Sequence, residues 1–461
     1  MFKKIEIWIL YLTILLSIVS AVAFGVLVRQ ELVGSIKAGW VSKAALTLAE
    51  IPVNLKKVLE EESGVSLSVE DRFPALDGFN GAPNSEESYL LLSRYDGGLQ
   101  EGVVELVDLT TFEVLHTWNP DIDAFNDLVE QVDEFKYLAR DHHNKRKTLM
   151  HPKLTMDGGL LFGWESPLRK INSCSALIFQ NTHDNFHHSI ETDLDGNIWV
   201  PSYLYPQSLP IEKVGGEIKG DGGFLDDAIV KLSPIGQILY EKSVSQIFID
   251  NGLEYLLFSV GASHSGGRGG FDSDPIHLNA IKPINFDGEF WIKGDVFLSL
   301  RHQSMVLLYR PSTDEIIWKG TGPFFHQHDV DILDEHRISV FNNNSKDFVD
   351  ADIVDGHNEV IIYDFKTNEH SSYFKDSLEN NDVRTITGGR SQILPNGDLF
   401  IEESDYSRTL YFNIDGSLRW THVNRADDGN VYRVGWSRIL YTQEDIETVK
   451  NFMTNKGGCN E

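Results

Sequence analysis

Residues Ser299 to Asn344 read SLRHQSMVLLYRPSTDEIIWKGTGPFFHQHDVDILDEHRISVFNNN. An alternating run comes first, with Met305, Leu307 and Tyr309 set against Val306, Leu308 and Arg310. Pro311-Ser312-Thr313-Asp314 supplies a turn, and Glu315-Ile316-Ile317-Trp318 the return. Apolar alternation with a period of two, broken by turn residues, marks antiparallel strands, because successive side chains of a strand point to opposite faces. The cluster His326-Gln327-His328-Asp329 falls between two such hairpins, where a rigid β scaffold presents it from a loop.

The hairpin recurs at Val103–His116, Ala228–Tyr240, Glu359–Ser372 and Thr409–Trp420, with a weaker copy from Ser175. A second set of turns precedes these units: Asp193-Leu194-Asp195-Gly196-Asn197, Asn285-Phe286-Asp287-Gly288 and Leu394-Pro395-Asn396-Gly397. Asp-Gly and Asn-Gly favour type I′ turns, which need positive φ at both central residues. The units recur at a spacing of about 50 residues, that of four-stranded propeller blades. Counting the weak copy, the pattern predicts an all-β, six-bladed propeller. A pair of β-sandwiches is the alternative, but no composition shift or linker divides the chain.

The 461 residues, 41% hydrophobic, suffice for a large core. A formal charge of −29 would repel a phosphate backbone, so no nucleic-acid partner is expected. The two cysteines, Cys174 and Cys459, form neither a disulfide framework nor a metal pattern, and the sequence leaves open whether they pair.

Ile7 to Val28 are 22 nearly all apolar residues, enough to cross a bilayer as a helix. Lys3 and Lys4 precede them and place the N-terminus in the cytoplasm. The rival is a cleaved signal peptide with Ala21-Val22-Ala23 at its small-x-small site, but the apolar run continues past that site. Both readings export the rest of the chain. The expected division is a membrane anchor at 1–33, a helical stalk and linker at 34–86, the propeller at 87–446 and a tail at 447–461. The stalk shows Val41, Ala44, Ala45, Leu48, Leu55, Val58 and Leu59 at helical spacing, interrupted by Pro52. Residues 61–87 read as linker, Asp121–Lys147 as a charged insert with a helix near Phe125–Leu138, and Pro206–Phe224 and Ser263–Asp274 as surface loops.

Several histidines fall at equivalent points of successive units, each just before what should be a blade's innermost strand. They are His188, preceded by His187, His277 in DPIHLNAI, and His326 with His328. Innermost strands line the central channel, so residues about 140 apart along the chain can meet there. Arg301 follows one such strand and Arg390 precedes another. Imidazoles with guanidinium suit an oxyanion: Arg offers a planar fork of donors, and neutral His can attack an electrophile or carry protons. A zinc or iron site ranks below this, since both arginines would add positive charge beside a cation. His116, His151, His336, His370 and His422 are read as loop-locking residues.

His187–Trp199, Asp226–Ser243, DPIHLNAI, Ser299–Trp318, Gln327–Asn343 and Ser391–Trp420 together resemble the PAPS-independent arylsulfotransferases, over most of residues 185–445. The resemblance implies a six-bladed periplasmic propeller that moves sulfate from an aryl sulfate ester to a phenol by ping-pong transfer through a sulfohistidine, without nucleotide or metal cofactor. It implies catalytic roles for His328 and His277. Substrate-binding roles fall to His188, Asn279, Arg301, His326, Arg390, and Asn342 or Asn343. The expected partners are thus a small aryl sulfate, a phenol, and a membrane contacted by the N-terminal helix. A non-catalytic propeller that binds an anion or a protein is the alternative.

Overall fold

The computed structural model describes residues 6–32, 39–62, 67–214, 224–258, 273–348 and 352–455. The body is a propeller-like array of antiparallel sheets. The deciding hairpin forms as its pattern predicts: Met305–Arg310 pairs with Glu315–Gly320, and Leu278–Pro283 and Val296–Leu300 complete a four-stranded sheet. The first hairpin strand is buried on both faces rather than half-exposed. Leu298, Leu300, Met305, Leu307 and Tyr309 pack into one apolar group. Their neighbours Phe297, Val306 and Leu308 pack into the group on the other side. The period of two therefore sorts side chains between two neighbouring sheets, not between core and solvent. The same split separates Leu399, Ile401, Leu410 and Phe412 from Phe400, Tyr411 and Trp420.

The expectation of six separate blades is corrected. Among the described residues, four separate sheets of four or five strands form around the body. The stretch Lys153–Ser243 makes one continuous eight-stranded sheet. The cause is the long strand Leu177–Phe186. Its first part pairs with Ser166–Ile171, while its end pairs with the following unit through Phe186↔Ser202 and Asn185↔Tyr203. The C-terminal strand Arg438–Leu440 pairs with Tyr89–Asp96 near the start of the body and closes the circuit.

Three further readings change. The linker contributes strands: Gly78–Gly81 pairs with Leu418–Val423, and Ser68–Val69 with Val431–Tyr432. The charged insert holds four short helical turns instead of one helix. The tail forms a helix, Gln443–Asn455, whose Val449 and Phe452 enter the core beside Trp118. The apolar N-terminal stretch is helical over Ile7–Leu32, and Ile7–Gln30 is long and apolar enough to cross a membrane. The stalk is one helix, Trp40–Glu62, that continues through Pro52. Residues 263–272, residues 215–223 of the Pro206–Phe224 loop and Cys459 lie outside the described residues; Cys174 is disulfide-bonded.

Candidate active site

The strands Lys153–Leu154, Glu191–Thr192, Leu278–Pro283, Val330–Ile332, Arg390–Ile393 and Arg438–Leu440 are each approached through residues with positive φ. They are His151 (44°), His188 (53°), His277 (55°), His326 (51°), Gly388 with Gly389 (62° and 80°), and Trp436 (58°). Non-glycine residues in this left-handed region cost free energy and persist where the surroundings over-determine them, a pattern common at functional sites. At Gly389 no side chain fits, because a Cβ would lie 2.7 Å from Phe341 Cε1 and Thr385 Cγ2.

The left-handed turns bring the expected histidines together. The His188 and His277 rings are 5.3 Å apart, His277 and His302 4.4 Å, and His302 and His326 6.2 Å. Trp436 joins His188 at 5.8 Å and His328 at 6.1 Å. Arg301, only 8% exposed, donates from Nη1 to His302 Nε2 at 2.7 Å. Its Nε has no hydrogen-bond partner, and it forms no ion pair among the described residues. Burial lowers its pKa. A guanidinium that is buried, charged and without a carboxylate is costly to the fold.

His328 is 2% exposed and doubly fixed. Asn343 donates from Nδ2 to the Gly388 and Thr385 carbonyls at 2.8 and 3.1 Å, so its Oδ1 is the atom facing His328 Nδ1 at 2.7 Å. Nδ1 therefore carries the proton. Nε2 accepts from the Gly388 backbone N–H at 3.0 Å. Burial first, then the charge of Arg301, hold this imidazole well below its ordinary pKa, so it is neutral. His277 pairs through Nδ1 with Asp274 Oδ2 at 2.6 Å. Burial would raise Asp274, but the hydrogen bond and charge of His277 and the charge of His302 outweigh it and lower its pKa.

On or beside the same strands lies a belt of buried charge. Arg438 pairs with Glu191 at 3.1 Å, Lys282 with Asp331 at 2.5 Å and Glu191 at 3.4 Å, and Arg390 with Asp329 at 3.3 Å. Arg390 thus departs from its expected place beside Arg301. Its guanidinium is taken up by Asp329, the Ser437 carbonyl and His151 Nε2. Asn342 also departs: it accepts from the Phe325 and Asn344 backbone N–H groups and shapes that loop. Asn279 donates to the Gln327 carbonyl at 3.3 Å. Sequence reading missed His302, Asp274 and Trp436. The first two flank recognised motifs, as SLRH and DPIH. Trp436 gave no signal, yet it is fully buried with its Nε1 unpartnered among the described residues.

The family model described as arylsulfotransferase (ASST) matches residues 151–425, more than half of the chain. The chain belongs to the arylsulfotransferase family. The match covers every histidine of this cluster as well as Arg301, Asn343 and Gly388, and stops short of Trp436. No curated protein matches the chain. Among solved structures, a protein of unknown function from Bacteroides caccae is 11% identical with a TM-score of 0.46, covering 76% of this chain and 98% of its own. The WD40 β-propeller domain of Doa1 is 11% identical with a TM-score of 0.38, covering 82% and 98%. A streptogramin B lyase is 10% identical with a TM-score of 0.37, covering 81% and 96%. Likenesses this loose bear on neither the activity nor the site of this arylsulfotransferase family member.

Proposed function

We propose that the protein transfers a sulfuryl group from an aryl sulfate ester to a phenol, with His328 as covalent carrier and His277 as the proton-handling residue. The observation that carries this reading is the buried Arg301 guanidinium, without an ion pair among the described residues and beside His302. Its free N–H groups suit the oxygens of a sulfate ester.

In the first half-reaction His328 Nε2 attacks sulfur. The N–S bond forms as the S–O(aryl) bond breaks, and the electron pair leaves on the phenolate. Protonated His277 gives that phenolate its proton. Arg301 and the Trp436 Nε1–H face the sulfuryl oxygens, where charge is held in the transition state. In the second half-reaction neutral His277 takes the proton of the acceptor phenol as its oxygen attacks sulfur. The N–S electron pair then returns to His328 Nε2. Asp274 fixes the His277 ring, and Asn343 fixes the tautomer of His328. The Gly388 N–H must turn away from Nε2 before attack.

A second reading, a propeller that binds an aryl sulfate without turnover, is favoured by that same Gly388 hydrogen bond, which occupies the lone pair of the nucleophile. A chromogenic aryl sulfate with and without a phenol acceptor separates the two. The enzyme reading expects acceptor-dependent release of the chromophore, lost in His328→Ala. Thermal stabilisation by the ester with no release contradicts it and supports the binding reading.

The architecture is read as six repeats, two of them merged in the eight-stranded sheet. The left-handed approaches to six strands support this. The site is read as facing the periplasm or cell exterior, behind a single membrane span with its N-terminus in the cytoplasm. The helix Ile7–Gln30, Lys3 and Lys4 before it, and the disulfide at Cys174 support this, because disulfides persist in oxidising compartments.

A further inference from the structure

We propose that His183, Asp184 and Glu241 form a binding site for a divalent transition-metal cation of the zinc class, on strands other than the six approached through the left-handed turns. His183 and Asp184 sit on Leu177–Phe186, and Glu241 on Ile238–Ser243. One ligand atom of each lies within 4.8 Å of the others. His183 Nε2 is 3.3 Å from Glu241 Oε1. Asp184 is fully buried: its Oδ2 accepts from Ser202 Oγ at 2.8 Å, while its Oδ1 has no hydrogen-bond partner. Glu134 adds a further carboxyl group nearby, and its Oε1 is also buried and unpartnered. Among the described residues no lysine or arginine forms an ion pair with Asp184, Glu134 or Glu241. The group is thus rich in carboxyls, partly water-excluded and without an internal cation among the described residues, an arrangement that a bound metal relieves.

One imidazole with two carboxylates suits Zn2+ or Mn2+; Ca2+ takes six to eight oxygens. The His183 side chain is half-exposed, which gives the ion a path in and room for a bound water. Within the sheet, the strands Ile198–Tyr203 and Asp227–Leu232 separate the two metal-bearing strands. A cation here would staple strands that share no ladder, as a structural site rather than a catalytic one.

The test uses the full-length protein, stripped with a chelator and titrated calorimetrically with Zn2+, then Mn2+. One Zn2+ per chain is expected, with a melting temperature raised by roughly 3–5 °C at about 100-fold excess over Kd. His183→Ala and Glu241→Gln should each weaken binding at least about 10-fold. His183→Ala should leave aryl sulfate turnover unchanged, since the site takes no part in that chemistry. Failure of both metals to bind at millimolar concentration overturns the proposal. So does binding that survives both substitutions, or that is lost in His277→Ala instead, which would move the metal to Asp274, His277 and His302. None of these outcomes depends on whether the protein transfers sulfate.

Discussion

Asn343 Oδ1 lies 2.7 Å from His328 Nδ1, and the Gly388 N–H lies 3.0 Å from the same ring's Nε2. One contact fixes the proton and the other marks the nitrogen left with a lone pair. Asn343→Ala should lower sulfuryl transfer by about 100-fold through kcat, since ring orientation is lost while Arg301 still binds the ester. Asn343→Asp should instead raise the basicity of His328 and shift the acid limb of the rate profile to higher pH. A pH–rate profile of both variants checks this; full activity in Asn343→Ala would remove the positioning role.

Arg301 carries the anion-binding claim. Arg301→Ala should cost about 10²–10³ in transfer rate. It should not lower the melting temperature, because the guanidinium is buried with a single hydrogen bond to a neutral imidazole and its removal relieves desolvation. Arg301→Lys should recover little, as an ammonium lacks the planar fork. Turnover assayed beside thermal unfolding tests both statements; an inactive and destabilised Arg301→Ala would assign the residue to the fold.

Acid should destabilise the protein through histidines buried in the neutral state. His422 lies against Phe79 and, with burial as the first cause and Arg94 the second, is pushed down to about 3. Its folded pKa is below the ordinary 6.5, so the unfolded chain binds the extra proton as pH falls. The stability contribution is therefore present above pH 6.5 and is lost between there and about pH 3, at about 1.4 kcal/mol per pH unit. His422→Leu should flatten that part of the stability–pH curve. Equal unfolding free energies at pH 4 and 6 relative to His422→Leu, read by denaturant titration, would contradict it.

The Arg390–Asp329 pair is structural. Arg390→Met should cost about 3–5 kcal/mol, leaving Asp329 buried beside Asp331 and Glu191 without its partner. Arg390→Met with Asp329→Asn should recover much of the loss. Denaturant unfolding of the two variants checks the order; equal destabilisation of single and double variants would show that the arginine's packing, not its charge, matters.

Much of the fold was legible because hairpins are local: Met305 to Trp318 carries its own alternation and its own turn. The strand count of each sheet was not, because Phe186 and Ser202 meet through backbone ladders that leave no periodic trace. The linker misread has the same cause. Phe79 sits in an irregular stretch, yet its strand adds to a sheet edge supplied by residues 418–423. The proximity of His188, His277 and His326 was legible because they precede strands at repeated positions. Arg390 occupies an equivalent place and was assigned the same role; whether a buried guanidinium meets a carboxylate depends on a distant neighbour, here Asp329. Trp436 approaches its strand by the same left-handed turn, but an isolated Gly-Trp pair carries no signal of what its ring will face.

The central claim is that His328 bears the transferred group. Mixing the protein with an aryl sulfate in the absence of acceptor, quenching in base and mapping the peptides by mass spectrometry reads this directly. The account predicts one sulfuryl group on the His328 peptide, discharged by added phenol and absent from His328→Ala. Product formed with no histidine-bound sulfuryl group, or with that group on another residue, contradicts it.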